Sequence, residues 1–162
     1  MIKRFMEIRK AKLEDVPELI RLIQISDNRT LEVASTKVKK FIDSDNGFFL
    51  IAIENNKIVG YALFIIKEDD EKAKQFLDLS ENSCIGWIAV NTDLRERYIG
   101  SKLLKASEEY ALKYGKVGIW LDCTQKVVGF YQKNGYEIAG VYEKESPNKL
   151  LKPLYLMVKK LK

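Results

Sequence analysis

Residues 87–104 read Trp87-Ile88-Ala89-Val90-Asn91-Thr92-Asp93-Leu94-Arg95-Glu96-Arg97-Tyr98-Ile99-Gly100-Ser101-Lys102-Leu103-Leu104. The periodicity of the chain changes within this stretch. Cys84 to Val90 is a near-continuous apolar run, the pattern of a strand buried on both faces. From Ile99 the spacing becomes helical, with Ile99, Leu103, Ala106, Tyr110 and Tyr114 on one face and Leu104 and Ala111 beside them. Gly115 follows as a C-terminal cap. Between strand and helix lies a polar turn. A helix start exposes unpaired N–H groups and the positive end of the helix dipole. Gly100 removes a Cβ near that start, and Arg95 and Arg97 add positive charge. Together these make a cradle for a diphosphate. A plain strand-to-helix turn with solvated arginines accounts for the same residues, and the spacing alone does not separate the two.

Upstream, Met6 and Ile8 alternate with charged residues as a short strand does. Asp15 and Pro17 mark a helix start, a capping side chain followed by a ring tolerated only in the first turn. Helical spacing continues through Ile25, and a second helix is expected over Ala34 to Ile42. Phe48 to Ile53 and Ile58 to Ile66 read as strands joined by Glu54-Asn55-Asn56-Lys57, where Asn tolerates the left-handed backbone of a tight hairpin. Glu68 to Asn82 is polar, a short helix plus loop. Downstream, Val117 to Cys123 is another buried strand, Lys126 to Lys133 a short helix, and Tyr136 to Tyr142 and Leu154 to Lys160 the last strands. The order β-α-α-β-β-β-α-β-α-β-β predicts an α/β (α+β) domain, a mixed central sheet of about seven strands with helices on both faces.

Composition narrows the chemistry. The chain of 162 residues has the length of a single domain over 1–162. It contains no His, which excludes Ser-His and Cys-His nucleophile pairs, His-ligated zinc and a His general base. Cys84 and Cys123 are the only cysteines, too few for a disulfide framework or a four-Cys metal site, so no metal is expected; a single disulfide stays open. Residues 1–10 lack the apolar core of a signal peptide, and no apolar run approaches the ~20 residues that span a membrane. A cytoplasmic protein without a membrane partner is expected. The net charge of +5 is dispersed along the chain and tolerates anionic ligands, and makes a weak case for nucleic acid.

The turn resembles motif A of the GNAT N-acetyltransferases, in which Gln/Arg-x-x-Gly-x-Gly/Ala opens the helix that holds the coenzyme A pyrophosphate. Here Arg95-Glu96-Arg97-Tyr98-Ile99-Gly100 matches at the opening Arg and the last Gly, and Tyr98 replaces the first Gly. The ring of Tyr98 must then point away from the pyrophosphate. Phe130-Tyr131-Gln132-Lys133-Asn134-Gly135-Tyr136 is similar to the family's Phe-Tyr-x-x-x-Gly-Phe segment, and Glu7 to Asp15 resembles its opening strand and helix. The resemblance covers nearly the whole chain and implies the acyl-CoA N-acyltransferase fold. It implies acetyl-CoA as co-substrate, held by Arg95, Glu96, Arg97, Tyr98, Ile99, Gly100 and Ser101. Ile88, Ala89 and Val90 would lie along the pantetheine arm, where the family's fourth and fifth strands splay apart. Thr124 and Phe130 complete the cofactor set that the resemblance implies. Tyr131 is its proton donor to the departing thiolate, a role suited to a phenol whose pKa of about 10 exceeds the thiol's 8.5.

The resemblance places the family's strand carboxylate at Cys84, so the base is missing from its usual position. Glu81, three residues upstream, is the replacement expected, acting through water; the alternatives are an acceptor bound already substantially neutral, or a relay through ordered waters and backbone carbonyls. Glu68-Asp69-Asp70-Glu71, with Asp78 and Glu81, would attract a cationic acceptor, or form a solvated loop. The expected activity is acetyl transfer from acetyl-CoA to a primary amine by direct attack in a ternary complex, the amine being a small molecule or a peptide. Two rivals stand beside it, an acyl-CoA-binding sensor and a basic nucleic-acid-binding module. A homodimer is left open.

Overall fold

The computed structural model describes residues 5–145 and 149–162, without the side chains of 95–97. Among the described residues the elements are β1 (Met6–Lys10), α1 (Val16–Asp27), α2 (Leu31–Phe41), β2 (Gly47–Glu54), β3 (Lys57–Ile65), β4 (Asn82–Val90), α3 (Ile99–Lys113), β5 (Gly118–Cys123), α4 (Val128–Lys133), β6 (Glu137–Glu145) and β7 (Leu151–Lys160). Their order is the one anticipated. The strands form a seven-stranded sheet, β1-β2-β3-β4-β5-β7-β6. It is mixed: β4 runs parallel to β5, while β1–β2, β2–β3, β5–β7 and β6–β7 are antiparallel. The chain divides into two compact units, one holding the residues up to Ile65 with Ile85–Ser107, the other Ile66–Cys84 with Glu108–Lys162.

In the first unit the β2–β3 hairpin closes through Asn55 and Asn56, both at positive φ (52° and 60°), with Glu54 opposite Lys57. That two-residue turn matches the right-handed twist of the strands. Phe49, Leu50, Ile51 and Ala52 on β2, and Tyr61 to Phe64 on β3, are consecutively buried, so both faces of these strands are covered. Neighbouring residues of β3 show how. A Cβ on Gly60 would stand 3.2 Å from side-chain atoms of Ile99 and Leu103, so the start of α3 lies on that face. Tyr61 points the other way, where Asp27 and Arg29 act on its phenol.

Two expectations for the first unit need correcting. Asp15 precedes α1 and Pro17 sits in its first turn, but the Asp15 carboxylate does not cap the helix. It accepts two hydrogen bonds from the Arg9 guanidinium (2.7 and 3.1 Å) and one from Lys12 N–H (2.7 Å), tying α1 to β1. α2 begins at Leu31, not Ala34, because Thr30 Oγ1 accepts the Val33 N–H. Leu31 and Val33 are exposed, so apolar periodicity could not locate that first turn.

In the second unit β7 lies between β5 and β6, pairing with Gly118–Cys123 on one side and Glu137–Glu145 on the other. The register of β6 shifts between Ile138 and Gly140, and Phe76 packs over bare Gly140 with its ring stacked on Tyr142 at 6.2 Å. A side chain at Gly140 would occupy the ring's position.

Two further corrections concern the central strand and helix. In β4 the residues Asn82 to Ile85 are buried, but Gly86 to Ala89 are exposed or half-buried, so the strand is not covered on both faces throughout. The buried face of α3 comprises Ile99, Leu103, Leu104, Ser107, Glu108 and Ala111, and Tyr114 is exposed. Polar residues join this face because each has a partner. Ser107 Oγ donates to Leu103 O (2.9 Å), and Glu108 accepts from Tyr136 Oη (3.0 Å) and Lys159 Nζ (2.7 Å). Gly115, at φ 76°, ends the helix as expected, with Gly115 N–H on Leu112 O and Lys116 N–H on Ala111 O.

Candidate active site

The first unit holds the strand–turn–helix segment. Asn91 N–H donates to Val59 O (2.8 Å), which keeps the end of β4 on β3, and Asn91 Oδ1 accepts Asp93 N–H (3.1 Å) to open a 3-10 turn over Thr92–Arg97. The turn ends at Tyr98, which adopts the left-handed conformation (φ 60°, ψ 19°) with its ring 75% exposed. Lys102 N–H then donates to Tyr98 O (3.1 Å). The N–H groups of Ile99, Gly100 and Ser101 precede that bond, so the helix supplies no carbonyl for them. Ile99 is buried against Gly60 and anchors the turn. Gly100 places no side chain among these donors, which fits an anionic diphosphate. The charge expected of Arg95 and Arg97, and any part played by the Glu96 side chain, lies outside the described residues.

Ile88 and Ala89 are half-buried and Val90 is buried. Beside them the Trp87 ring carries the Arg29 guanidinium at 3.8 Å and Lys37 Nζ at 5.3 Å from its centroid. Nothing in the sequence pattern tied these three residues together, since Arg29 and Lys37 come from the α1–α2 region.

The second unit carries the remaining predicted residues. Tyr131, on α4, is buried, its ring edge-on to Phe130 (5.1 Å) and Tyr136 (5.9 Å). Phe130 and Thr124 are exposed, Thr124 leading from the end of β5 towards α4. Glu81 is exposed, and its carbonyl accepts Val117 N–H (2.9 Å) just before β5 begins. Because Asn82 pairs in parallel with Gly118, Glu81 sits where β5 starts, while Thr124 to Tyr131 follow where β5 ends. The six residues of β5 separate the two ends by about 20 Å of strand. Glu81 and Tyr131 are therefore not brought together.

Cys84 and Cys123 are free and buried. Burial, reinforced by Glu68, Asp122 and Asp70, pushes the Cys84 thiol well up; burial and Asp122 push Cys123 up to about 11. Both are thiols at neutral pH, which removes Cys84 as a nucleophile. Sequence reasoning missed Asp122, a carboxylate inside the apolar run Val117 to Cys123 that accepts a 2.6 Å hydrogen bond from Tyr142 Oη. A lone charge in an otherwise apolar strand was the available signal.

Residues 14–136 match the model of the Acetyltransferase (GNAT) family. The chain belongs to that family, and it is an acyltransferase by class. Its fold is that of solved family members. An acetyltransferase of the GNAT family from Streptococcus pneumoniae is 23% identical, with a TM-score of 0.73 over 98% of this chain and 100% of that one. An aminoglycoside 6'-N-acetyltransferase complexed with coenzyme A is 16% identical, with a TM-score of 0.77 over 96% and 97%. The ribosomal-protein-S18-alanine N-acetyltransferase from Escherichia coli is 14% identical, with a TM-score of 0.73 over 97% and 94%. A search of curated protein sequences gives no match. Among the described residues no helix is long and apolar enough to cross a membrane, and no group of His, Cys, Asp or Glu is arranged to hold a metal ion.

Proposed function

We propose that the chain moves the acetyl group of acetyl-CoA to a primary amine, by direct attack while both substrates are bound. The observation that carries this reading is the β4–turn–α3 segment, in which left-handed Tyr98 leads directly into the first-turn N–H groups of Ile99, Gly100 and Ser101, with no side chain at Gly100. Those groups would hold the diphosphate. Backbone groups of Ile88 and Val90 would hold the pantetheine arm along the half-covered part of β4. Coenzyme A supplies the activated acyl group. The chain supplies orientation, the proton for the departing sulfur from Tyr131, and a route for the protons lost by the amine. Titration with acetyl-CoA in a calorimeter tests the cradle. Gly100→Val should weaken binding at least tenfold with the fold intact, because branched carbons would enter the phosphate position. Unchanged affinity would overturn the assignment.

An acyl-CoA sensor is the second reading, favoured by Tyr98 where the motif has Gly and by Cys84 where it has a carboxylate. Turnover separates the two. Thiol release on adding a polyamine, an aminoglycoside, a Lys-containing peptide or a peptide with a free N-terminus supports the enzyme. Binding without release from any of them supports the sensor.

A further inference from the structure

The position at which the family resemblance expects a base is occupied by Cys84, a buried thiol. The register shows what stands next to it. Cys84 pairs with Trp120 in the parallel β4–β5 ladder, the last pair of that register, and Asp122 follows two residues along β5. Residues two apart on a strand share a face, so Asp122 lies on the face of Cys84 and Trp120, one step past the registered pairing. The β5–β7–β6 registers carry this face onward through Leu156 and Gly140 to Leu154 and Tyr142. Glu108 of α3, by contrast, reaches Lys159, which pairs with Ile119 on the opposite face.

We propose that Asp122, oriented by the Tyr142 hydroxyl, is the general base for the acceptor amine, taking from β5 the role of the carboxylate missing on β4. The inference rests on the acetyltransferase reading above. Three observations support it. Tyr142 Oη donates to Asp122 Oδ2 at 2.6 Å, leaving Oδ1 for a second donor. Burial and Asp122 itself push the Tyr142 phenol up, so it stays a donor throughout the pH range of an assay. On the same face the Nε1–H of Trp120, a residue 2% exposed, has no partner among the described residues. That donor is left for an acceptor that the chain does not supply.

The segment Ile66 to Leu79 belongs to this site. Phe76 lies on Gly140 and stacks on Tyr142, Lys72 Nζ donates to Glu143 O, and Asp70 accepts the N–H groups of Lys72 and Ala73. Charges from Glu68, Asp70, Lys144 and Asp122 act on the Cys84 thiol, and Asp122 also acts on Cys123 and Tyr142. The carboxylates Glu68, Asp70 and Asp122 outnumber the cations Lys72 and Lys144, which suits an acceptor arriving as an ammonium. Cys84, Cys123 and Tyr142 all remain protonated through neutral pH.

The proton balance follows. The ammonium gives one proton to Asp122, which passes it to water. The neutral nitrogen bonds to the acetyl carbon, and the C–S bond breaks with its electron pair going to sulfur. The second proton leaves the nitrogen for solvent as the amide forms. Sulfur takes a proton from Tyr131, which recovers one from solvent.

The test uses the full chain, acetyl-CoA and the amine panel above, with thiol release measured from pH 6 to pH 10. Asp122→Asn should lower kcat/KM for the amine at least 100-fold at neutral pH and leave acetyl-CoA affinity within twofold. The deficit should shrink as pH approaches 10, where a rising fraction of the amine is already neutral and needs no base. Tyr142→Phe should lose about tenfold with the same pH trend. Wild-type activity in Asp122→Asn overturns the proposal, and so does a loss that is the same at every pH, the mark of a structural role. If circular dichroism shows Asp122→Asn unfolded, Tyr142→Phe decides, and its full activity with an unchanged profile overturns the proposal. A wild-type chain that binds acetyl-CoA but releases no thiol with any amine overturns the acetyltransferase reading itself, and this inference with it.

Discussion

Tyr98 sits at φ 60° where the motif it resembles has Gly, and the backbone explains that preference: the turn into α3 needs a left-handed residue. An L-residue with a Cβ pays about 1–2 kcal/mol for that conformation, part of which Gly returns through greater freedom in the unfolded chain. Tyr98→Gly should therefore stabilise the protein by about 0.5–1 kcal/mol and raise Tm by about 2 °C without weakening acetyl-CoA binding. Reduced affinity would show that the exposed ring contacts the ligand. Tyr131 poses the opposite case, a buried ring whose packing survives removal of its hydroxyl. Tyr131→Phe should lower kcat and kcat/KM together, at least about tenfold, with acetyl-CoA affinity unchanged. Full kcat under conditions where chemistry limits the rate would make Tyr131 a packing residue. Of the site, the local parts were legible: a strand, a turn and Gly100 are consecutive in the chain. Asp122 was not, because its meaning comes from Cys84, Trp120 and Tyr142 on three other positions of the sheet, which only register brings onto one face.

The N-terminal edge of α1 shows how elements are joined by one side chain. Arg9 on β1 holds the Asp15 carboxyl below its ordinary value, mainly through their hydrogen bond and with help from Lys12 N–H. A carboxyl depressed in the folded state contributes its full stabilisation above the unfolded value, near 3.8, and loses it as pH falls through the lower folded value. Asp15→Asn should cost about 1 kcal/mol at pH 7 in urea melts, and less at pH 3. An equal cost at both pH values would mean that the ion pair contributes nothing. The element types were readable because short continuous apolar runs and stretches of period about 3.6 residues are cleanly separated. Boundaries and faces were less so. Thr30 starts α2 ahead of its first buried residue, and the inward face of α3 includes Ser107, bonded to Leu103 O one turn back, and Glu108, whose partners Tyr136 and Lys159 lie far along the chain.

At the scale of the molecule the sheet order β5-β7-β6 sets the last strand of the fold between two earlier ones. Ending the chain before Leu151 should remove the common neighbour of β5 and β6 and leave both with open hydrogen-bonding edges. Such a truncation is expected to be insoluble on expression, and a soluble, acetyl-CoA-binding product would show that β7 is dispensable. The same arrangement orders events during synthesis. The first unit has all its residues once Ser107 has left the ribosome, and its hairpin and helices are assembled from nearby pairings. The second unit waits for Leu151–Lys160 to emerge, and until then β5 and β6 lack their shared neighbour. The nascent chain thus carries a finished first unit while the strands of the second are still unclosed, and this interval is where chaperone capture or misassembly would act.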